Sequence, residues 1–343
     1  MNVTFLIGNG FDLNLGLETR YSDFYKYYLE NDPEDLISKS IKKVYELWSD
    51  LELGLGILLE DIDENQIEEF LDSKATLEKL LVKYLKTQNE RVKFTDEAKI
   101  LEAFKTAVVG LNGDFNKEDR DQYSKTIKNT REIIQYSFIV FNYTDVLDRI
   151  INIAIKDENY FASHVAGGAR YIDVIDTPIH IHGELTENLV LGLDNINQVR
   201  NEKIKNDPRI INYIIKANLN RELGEGNIEL TKDKIDKSTI ICIYGMSLGE
   251  TDGMWWEYLI EWLGRSSENR LVIYGDERGD IKLLGQERIR HRDANRKIMI
   301  ERGRCEDNDI INRISNRIII VPKSKIFDFE NISILESSIK PNK

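Results

Sequence analysis

The chain has 343 residues, enough for one large domain or two modest ones, and its 41% hydrophobic and 31% charged composition excludes a disordered protein. A formal net charge of −13 argues against a polyanion-binding surface spread over the whole molecule. Two cysteines, Cys242 and Cys305, are too few for a disulfide framework or a Cys-rich zinc site. With no basic leader and no apolar run of membrane-span length, a cytoplasmic protein without a membrane partner is expected.

Residues 3–7 are a short β-rich apolar run ending in Gly8-Asn9-Gly10-Phe11-Asp12, with Gly16 beyond. Glycine at a strand-to-helix turn lets the backbone approach a phosphate and leaves amide donors at a helix start. The same residues also suit a tight turn in which Asp12 is a helix cap. A dinucleotide fingerprint would place its third glycine at 13, where Leu13 stands. Asp12 would repel a phosphate and fits a ribose hydroxyl or a cap better.

Apolar residues then recur on one helical face at Ile37, Ile41, Val44, Leu47, Trp48, Leu51, Leu55, Leu58 and Leu59, and again from Ile67 to Leu85. Further helices begin near Ala98 and span 117–135, so residues 31–135 read as a helical insertion that covers a pocket or forms an oligomer interface. Strand patterns resume at 137–141, 177–181, 239–244, 270–274 and 317–321, with helices at 252–263 and 280–300 between them. This alternation predicts an α/β fold with a Rossmann-like, doubly wound parallel sheet built from residues 1–30 and 136–328. Residues 329–343 are expected to form a frayed tail. Cys242, within the run 239–244, is expected to be a buried packing thiol.

The polar motifs fall just after strands, where ligands bind in open α/β sheets. Asn142-Tyr143-Thr144-Asp145 combines groups that can orient water or hold ribose hydroxyls, or else starts a helix. His180-Ile181-His182-Gly183 places two imidazoles on one face of a strand; His182 fits proton transfer or ribose contact as well as a structural role, and no metal is expected. Gly245-Met246-Ser247-Leu248 with Asp252 offers amides and a hydroxyl to a phosphate or ribose, or forms a turn and cap. Trp255 and Trp256 read as packing residues. The basic stretch 278–304, with Arg288, Arg290, His291, Arg292, Arg296, Lys297, Arg302 and Arg304, is interleaved with acids; it is the best candidate for a nucleic-acid or partner surface, although net acidity makes nucleic acid a poor partner.

The opening Leu-Ile-Gly-Asn-Gly-Phe-Asp, then Gly16-Leu17-x-Thr19-x-Tyr21-Ser22-Asp23-Phe24, Trp48-Ser49-Asp50-Leu51-Glu52, Phe141-Asn142-Tyr143-Thr144, His180-Ile181-His182-Gly183 and Gly245-x-Ser247-Leu248-x-x-x-Asp252 resemble the AbiH family of bacterial phage abortive-infection proteins. The order of these motifs also resembles sirtuin-like NAD-binding domains, including NAD-cleaving ones of antiphage systems. There Gly8, Gly10 and Gly16 would take the three glycine places of the phosphate loop. Asn142 with Asp145, His182-Gly183 and Gly245-Met246-Ser247 would match the later motifs. The sequence departs from that pattern at Asp12, in an Asn-to-Asp spacing one residue longer, at Glu18 in place of proline, and in lacking zinc cysteines, which argues against a protein deacylase.

These resemblances imply a phage-defence effector that binds NAD or a related nucleotide and cleaves its nicotinamide N-glycosidic bond. Asn142 and His182 would be catalytic. Gly8, Asn9, Gly10, Phe11, Asp12, Gly16, Tyr21, Asp145, Gly245, Ser247, Leu248 and Asp252 would hold the cofactor. A non-catalytic nucleotide-sensing module and a nuclease remain the alternatives, with a homo-oligomer and a phage-derived trigger or operon partner as further expectations.

Overall fold

In the computed structural model, which describes residues 1–31, 33–156, 161–185, 189–224, 226–275, 285–322 and 324–335, the N-terminal apolar run becomes the centre of the main sheet. Strand β1 (Asn2–Ile7) leads through α1 (Gly10–Asn14) to the helices α2 (Tyr21–Glu30), α3 (Leu36–Lys43), α4 (Leu51–Glu60) and α5 (Ile67–Arg91). Then come β2 (Val92–Phe94), α6 (Glu97–Val109), α7 (Lys117–Asn129), β3 (Gln135–Val140), α8 (Val146–Ile155), β4 (Ala162–Ala166), β5 (Ala169–Ile175) and β6 (Ile179–His180). The helices α9 (Pro208–Ile214), α10 (Lys216–Glu222) and α11 (Asn227–Lys237) precede β7 (Ile240–Tyr244), α12 (Gly253–Arg265), β8 (Arg270–Tyr274), α13 (Gln286–Arg302), α14 (Asn308–Ile314), β9 (Ile318–Val321) and β10 (Ile332–Ile334).

The main sheet runs β4-β5-β3-β1-β7-β8-β9, with β6 beside the end of β3. Its central strands are parallel and buried on both faces, as apolar runs without polar alternation require. Phe5, Phe138 and Cys242 face one core with Ile100 and Phe104 of α6 and Ile150 of α8. Leu6, Ile139 and Ile241 face the other, against Trp255, Trp256 and Leu259 of α12 and Met299 of α13. Cys242 and both tryptophans are therefore packing residues, and both cysteines are free thiols.

The expected all-parallel sheet is instead mixed: β4 lies antiparallel to β5. Gly167 and Gly168, at φ +56° and +83°, supply the left-handed turn that closes this hairpin. The expected frayed tail is also wrong in part, because Ile332–Ile334 pairs antiparallel with Val92–Phe94. The helical face expected from Ile37 to Leu59 is broken into α3, a 3-10 turn at Tyr45–Trp48 and α4, with Asp50 capping α4 through the amides of Glu52 and Leu53. The helix expected over 117–135 stops at Asn129, and Gln135 already belongs to β3. The beginning of the helix expected at 280–300, and Arg278, lie outside the described residues.

A third core builds a helical layer. Phe24, Tyr25, Trp48, Leu55 and Phe70 of the early helices pack with Leu185, Leu191, Leu193, Ile210 and Ile214 from the segment between β6 and α10. This layer is thus assembled from two stretches of chain far apart in sequence. No helix among the described residues is long and apolar enough to cross a membrane.

Candidate functional site

From β1 the chain passes first to β3 on one side and later to β7 on the other. Phe11, after β1, packs into one core, whereas α12, after β7, packs into the opposite one. Connections leaving neighbouring strands toward opposite faces open a crevice at the strands' carboxyl ends. A cleft of about 1200 Å³ lies there, lined by residues 8–10, Leu13, residues 20–22, residues 45–46 and 48–50, Glu52, Phe141, His182, residues 245–249, Thr251, Asp252, Trp256 and residues 273–275, with Asn295 and Ile298. Its volume exceeds the few hundred to roughly 1,000 Å³ usual for small-molecule sites.

The two glycine turns in this cleft interlock. Gly8 N donates to Tyr244 O (2.9 Å) and Gly10 N to Gly245 O (2.7 Å). A Cβ on Gly10 would overlap Gly245 Cα, and Gly245 itself has φ +71° with Phe11 N 2.7 Å from where its Cβ would stand. The glycines are therefore required for one turn to seat on the other, independently of any ligand. Asn9 fastens the loop from the other side: its Nδ2 donates to Thr19 O (2.8 Å) and its Oδ1 accepts from Thr19 Oγ1 (2.6 Å).

Of the residues expected at the site, Gly8, Asn9, Gly10, Tyr21, His182, Gly245, Ser247, Leu248 and Asp252 line the cleft. Phe11, Asp12, Gly16, Asn142 and Asp145 are not among its lining residues. Phe11 is core. Asp12 is fully buried, and its Oδ2 accepts from Thr144 Oγ1 at 2.6 Å, so it neither caps α1 nor faces the cleft. Burial pushes its carboxyl up to about 6 against the hydrogen bond from Thr144. Asn142 Nδ2 donates to the same Thr144 hydroxyl at 3.1 Å. Gly16, at φ +92°, lies near Ile334, and Asp145 heads α8 without a side-chain capping bond.

The two histidines part company because the strand ends at His180 and the chain turns through Ile181 and His182. His180 Nε2 lies 2.9 Å from Asp148 Oδ2; burial opposes its charge, but that carboxylate outweighs burial and raises the imidazole above its ordinary value. His182 sits edge-on to Phe141, with ring centres 5.5 Å apart. Its Nδ1 lies 3.2 Å from Phe141 O and its Nε2 3.4 Å from Asp252 Oδ1. Both neighbours are acceptors, whereas a neutral imidazole carries one N–H. Burial, followed by the nearby Lys216 ammonium, depresses its proton affinity, so the ring rests neutral between two groups that suit an imidazolium.

Behind His182 stand groups that the sequence reading did not single out. Lys216 Nζ reaches Glu52 Oε2 (2.6 Å), Thr251 O (2.9 Å) and Asp252 Oδ1 (3.3 Å), the full donor complement of an ammonium. Burial lowers its proton affinity, but Asp252 and Glu52 more than restore it. Burial opposes the charge on Asp252 too, yet Lys216 and His182 hold that carboxyl well below the usual range. Burial, incompletely offset by Lys216, raises Glu52. Lys216 offered no local signal in the sequence, since it follows Ile214-Ile215 at an ordinary helix start. Glu52 stood within a motif of the family resemblance, but its partner is 164 residues away in sequence, counting from Glu52 to Lys216.

The lining is acidic. Among the described residues of the cleft, Glu46, Asp50, Glu52 and Asp252 face a single Lys or Arg, Arg20. No group of three or more His, Cys, Asp or Glu side chains among the described residues is placed to hold a metal ion. Part of the basic stretch is paired with acids: Arg302 with Glu250 (2.7 Å), Arg304 beyond the end of α13 with Glu257 (3.0 Å), and Arg296 with Asp293 (3.2 Å).

Fold and cleft together define an α/β protein with a mixed, mostly parallel sheet and a ligand-sized crevice at its strand ends. Residues 4–274 match the family model described as Bacteriophage abortive infection AbiH, and the chain belongs to that family of abortive-infection phage-defence proteins. A comparison with curated protein sequences gives no match.

Proposed function

We propose that the cleft binds NAD or a closely related dinucleotide and that the protein defends the cell by hydrolysing its nicotinamide N-glycosidic bond. The observation that carries this reading is the floor of the cleft, where a neutral, buried His182 meets an ionised Asp252 beside an otherwise acidic lining. Breaking this bond releases nicotinamide and leaves a cation-like ribose, which preorganised carboxylates stabilise and to which a water adds, losing its proton to a nearby base. His182 is the base in this scheme: it accepts the proton, and the resulting imidazolium is held by Asp252 and Phe141 O. Arg20 at the rim is the counter-charge available to the pyrophosphate. The order of motifs resembles that of sirtuin-like NAD-binding domains, and of that pattern Gly8, Gly10, His182, Gly245 and Ser247 line the cleft whereas Gly16, Asn142 and Asp145 do not. Asn142, whose side chain is turned onto Thr144, acts as a positioning residue rather than touching substrate.

Purified protein is expected to consume NAD and release nicotinamide, with His182→Ala slower by roughly 100- to 10,000-fold. Because burial and Lys216 depress His182, the rate should stay flat as pH falls through 6.5 and drop only below it. Equal turnover by wild type and His182→Ala would remove His182 from the mechanism. Binding of NAD without any breakdown would turn the reading into that of a nucleotide sensor.

A further inference from the structure

The buried Lys216 is not among the residues that line the cleft, yet it touches two carboxylates that are. Its location is fixed by backbone pairing: Leu193 N donates to Ile214 O (2.8 Å) and Lys216 N to Leu193 O (2.9 Å). Gly192 permits that approach, since a Cβ there would overlap Ile214 O. The side chain then runs behind the cleft floor, with 7% of the residue exposed, and borders a small space of about 20 Å³ together with His182, Asp194 and Asp252.

We propose that Lys216 is a positioning residue of the candidate site: it clamps Asp252 of the β7–α12 turn and Glu52 of α4 onto the cleft floor and orients His182 through Asp252. This rests on the reading that His182 handles a proton during the reaction. The three acceptors around Nζ come from two separate parts of the chain, α4 and the turn at Glu250–Asp252, so a single ammonium joins the helical layer to the turn at the carboxyl end of β7. Asp252 Oδ1 lies between Nζ and His182 Nε2, at 3.3 and 3.4 Å, which makes it the link between them. A cation this close to His182 opposes protonation of the resting imidazole, with Asp252 as the intervening anion, Asp194 bordering the same small space, and the Tyr143 ring 6.2 Å away. A lysine that merely filled the core would need neither carboxylate at the cleft surface.

The test is an NMR titration of the His182 ring in substrate-free, full-length protein, comparing wild type, Lys216→Met and the double variant Lys216→Met/Glu52→Gln. The double variant guards against misfolding, because it does not strand the Glu52 carboxylate without its partner. Removing the ammonium is expected to raise the His182 midpoint by on the order of one pH unit. The acid limb of the NAD-hydrolysis profile should move the same way, with kcat falling more than KM rises. An upward midpoint in either folded variant supports the proposal; an unchanged or lowered midpoint overturns it. Wild-type protein that leaves NAD intact would sink the hydrolase reading separately, since the titration is recorded without substrate.

Discussion

At the scale of the residue, Asp12 is the most exacting position in the glycine loop. It has no solvent exposure, its Oδ2 accepts from Thr144, and its Oδ1 has no hydrogen-bond partner. Its folded value of about 6 lies above the ordinary 3.8, so the folded state binds the proton more tightly than the unfolded chain. The stability this contributes is complete below pH 3.8 and lost as pH rises through about 6, a difference of about 3 kcal/mol. Asp12→Asn should therefore be more stable than wild type above pH 6, and the advantage should shrink as pH falls toward 3.8. Urea unfolding at both ends of that range measures it, and a wild type that stays the more stable protein above pH 6 would refute it. The sequence showed that a carboxylate beside a phosphate is awkward. The resolution, that Asp12 turns away into the core against Thr144, depended on β3 lying next to β1.

At the scale of the element, the turn after β1 and the turn after β7 act as one unit. Gly10→Ala would drive a methyl into Gly245 and is expected to destabilise by roughly 1–3 kcal/mol through overpacking. Gly264→Ala, in α12 with open space around it, should instead stabilise by about 0.5–1 kcal/mol through helix propensity. Urea midpoints of the two variants check both signs, and equal midpoints would show that turn-on-turn contact is not limiting. The strands β1, β3, β7, β8 and β9 were legible as apolar runs, because burial on both faces leaves no polar alternation to confuse them. The β4–β5 hairpin was not read, although Gly167-Gly168 between short strands was the available signal. The terminal strand β10 is three residues long and is specified by its partner β2 rather than by its own pattern.

At the scale of the whole molecule, the cleft is lined from the sheet's strand ends on one side and from residues 20–22, 45–46, 48–50 and Glu52 of the helical layer on the other. A ligand that fills it touches both bodies of chain, so it should stabilise the native state by mass action. For NAD at a hundred times its dissociation constant the gain is about 2.7 kcal/mol. A thermal-shift series with NAD, ADP-ribose and nicotinamide, run on His182→Ala so that the ligand is not consumed, would read it. Absence of a shift with all three would count against a nucleotide in the cleft.

The sequence by itself determined the α/β class, the central strands and the rule that polar motifs follow them, because strand burial and turn chemistry are local and leave local patterns. It also carried the family motifs through Asp252. Tertiary structure decided which of those motif residues share a cleft and which serve the core. It sent Asn142 and Asp12 to Thr144, split His180 from His182, and brought Lys216 from beyond the sheet to Glu52 and Asp252. The reason is physical: a buried charge is tolerated where opposite charges converge on it, and that convergence joins residues whose separation along the chain leaves no periodicity to read.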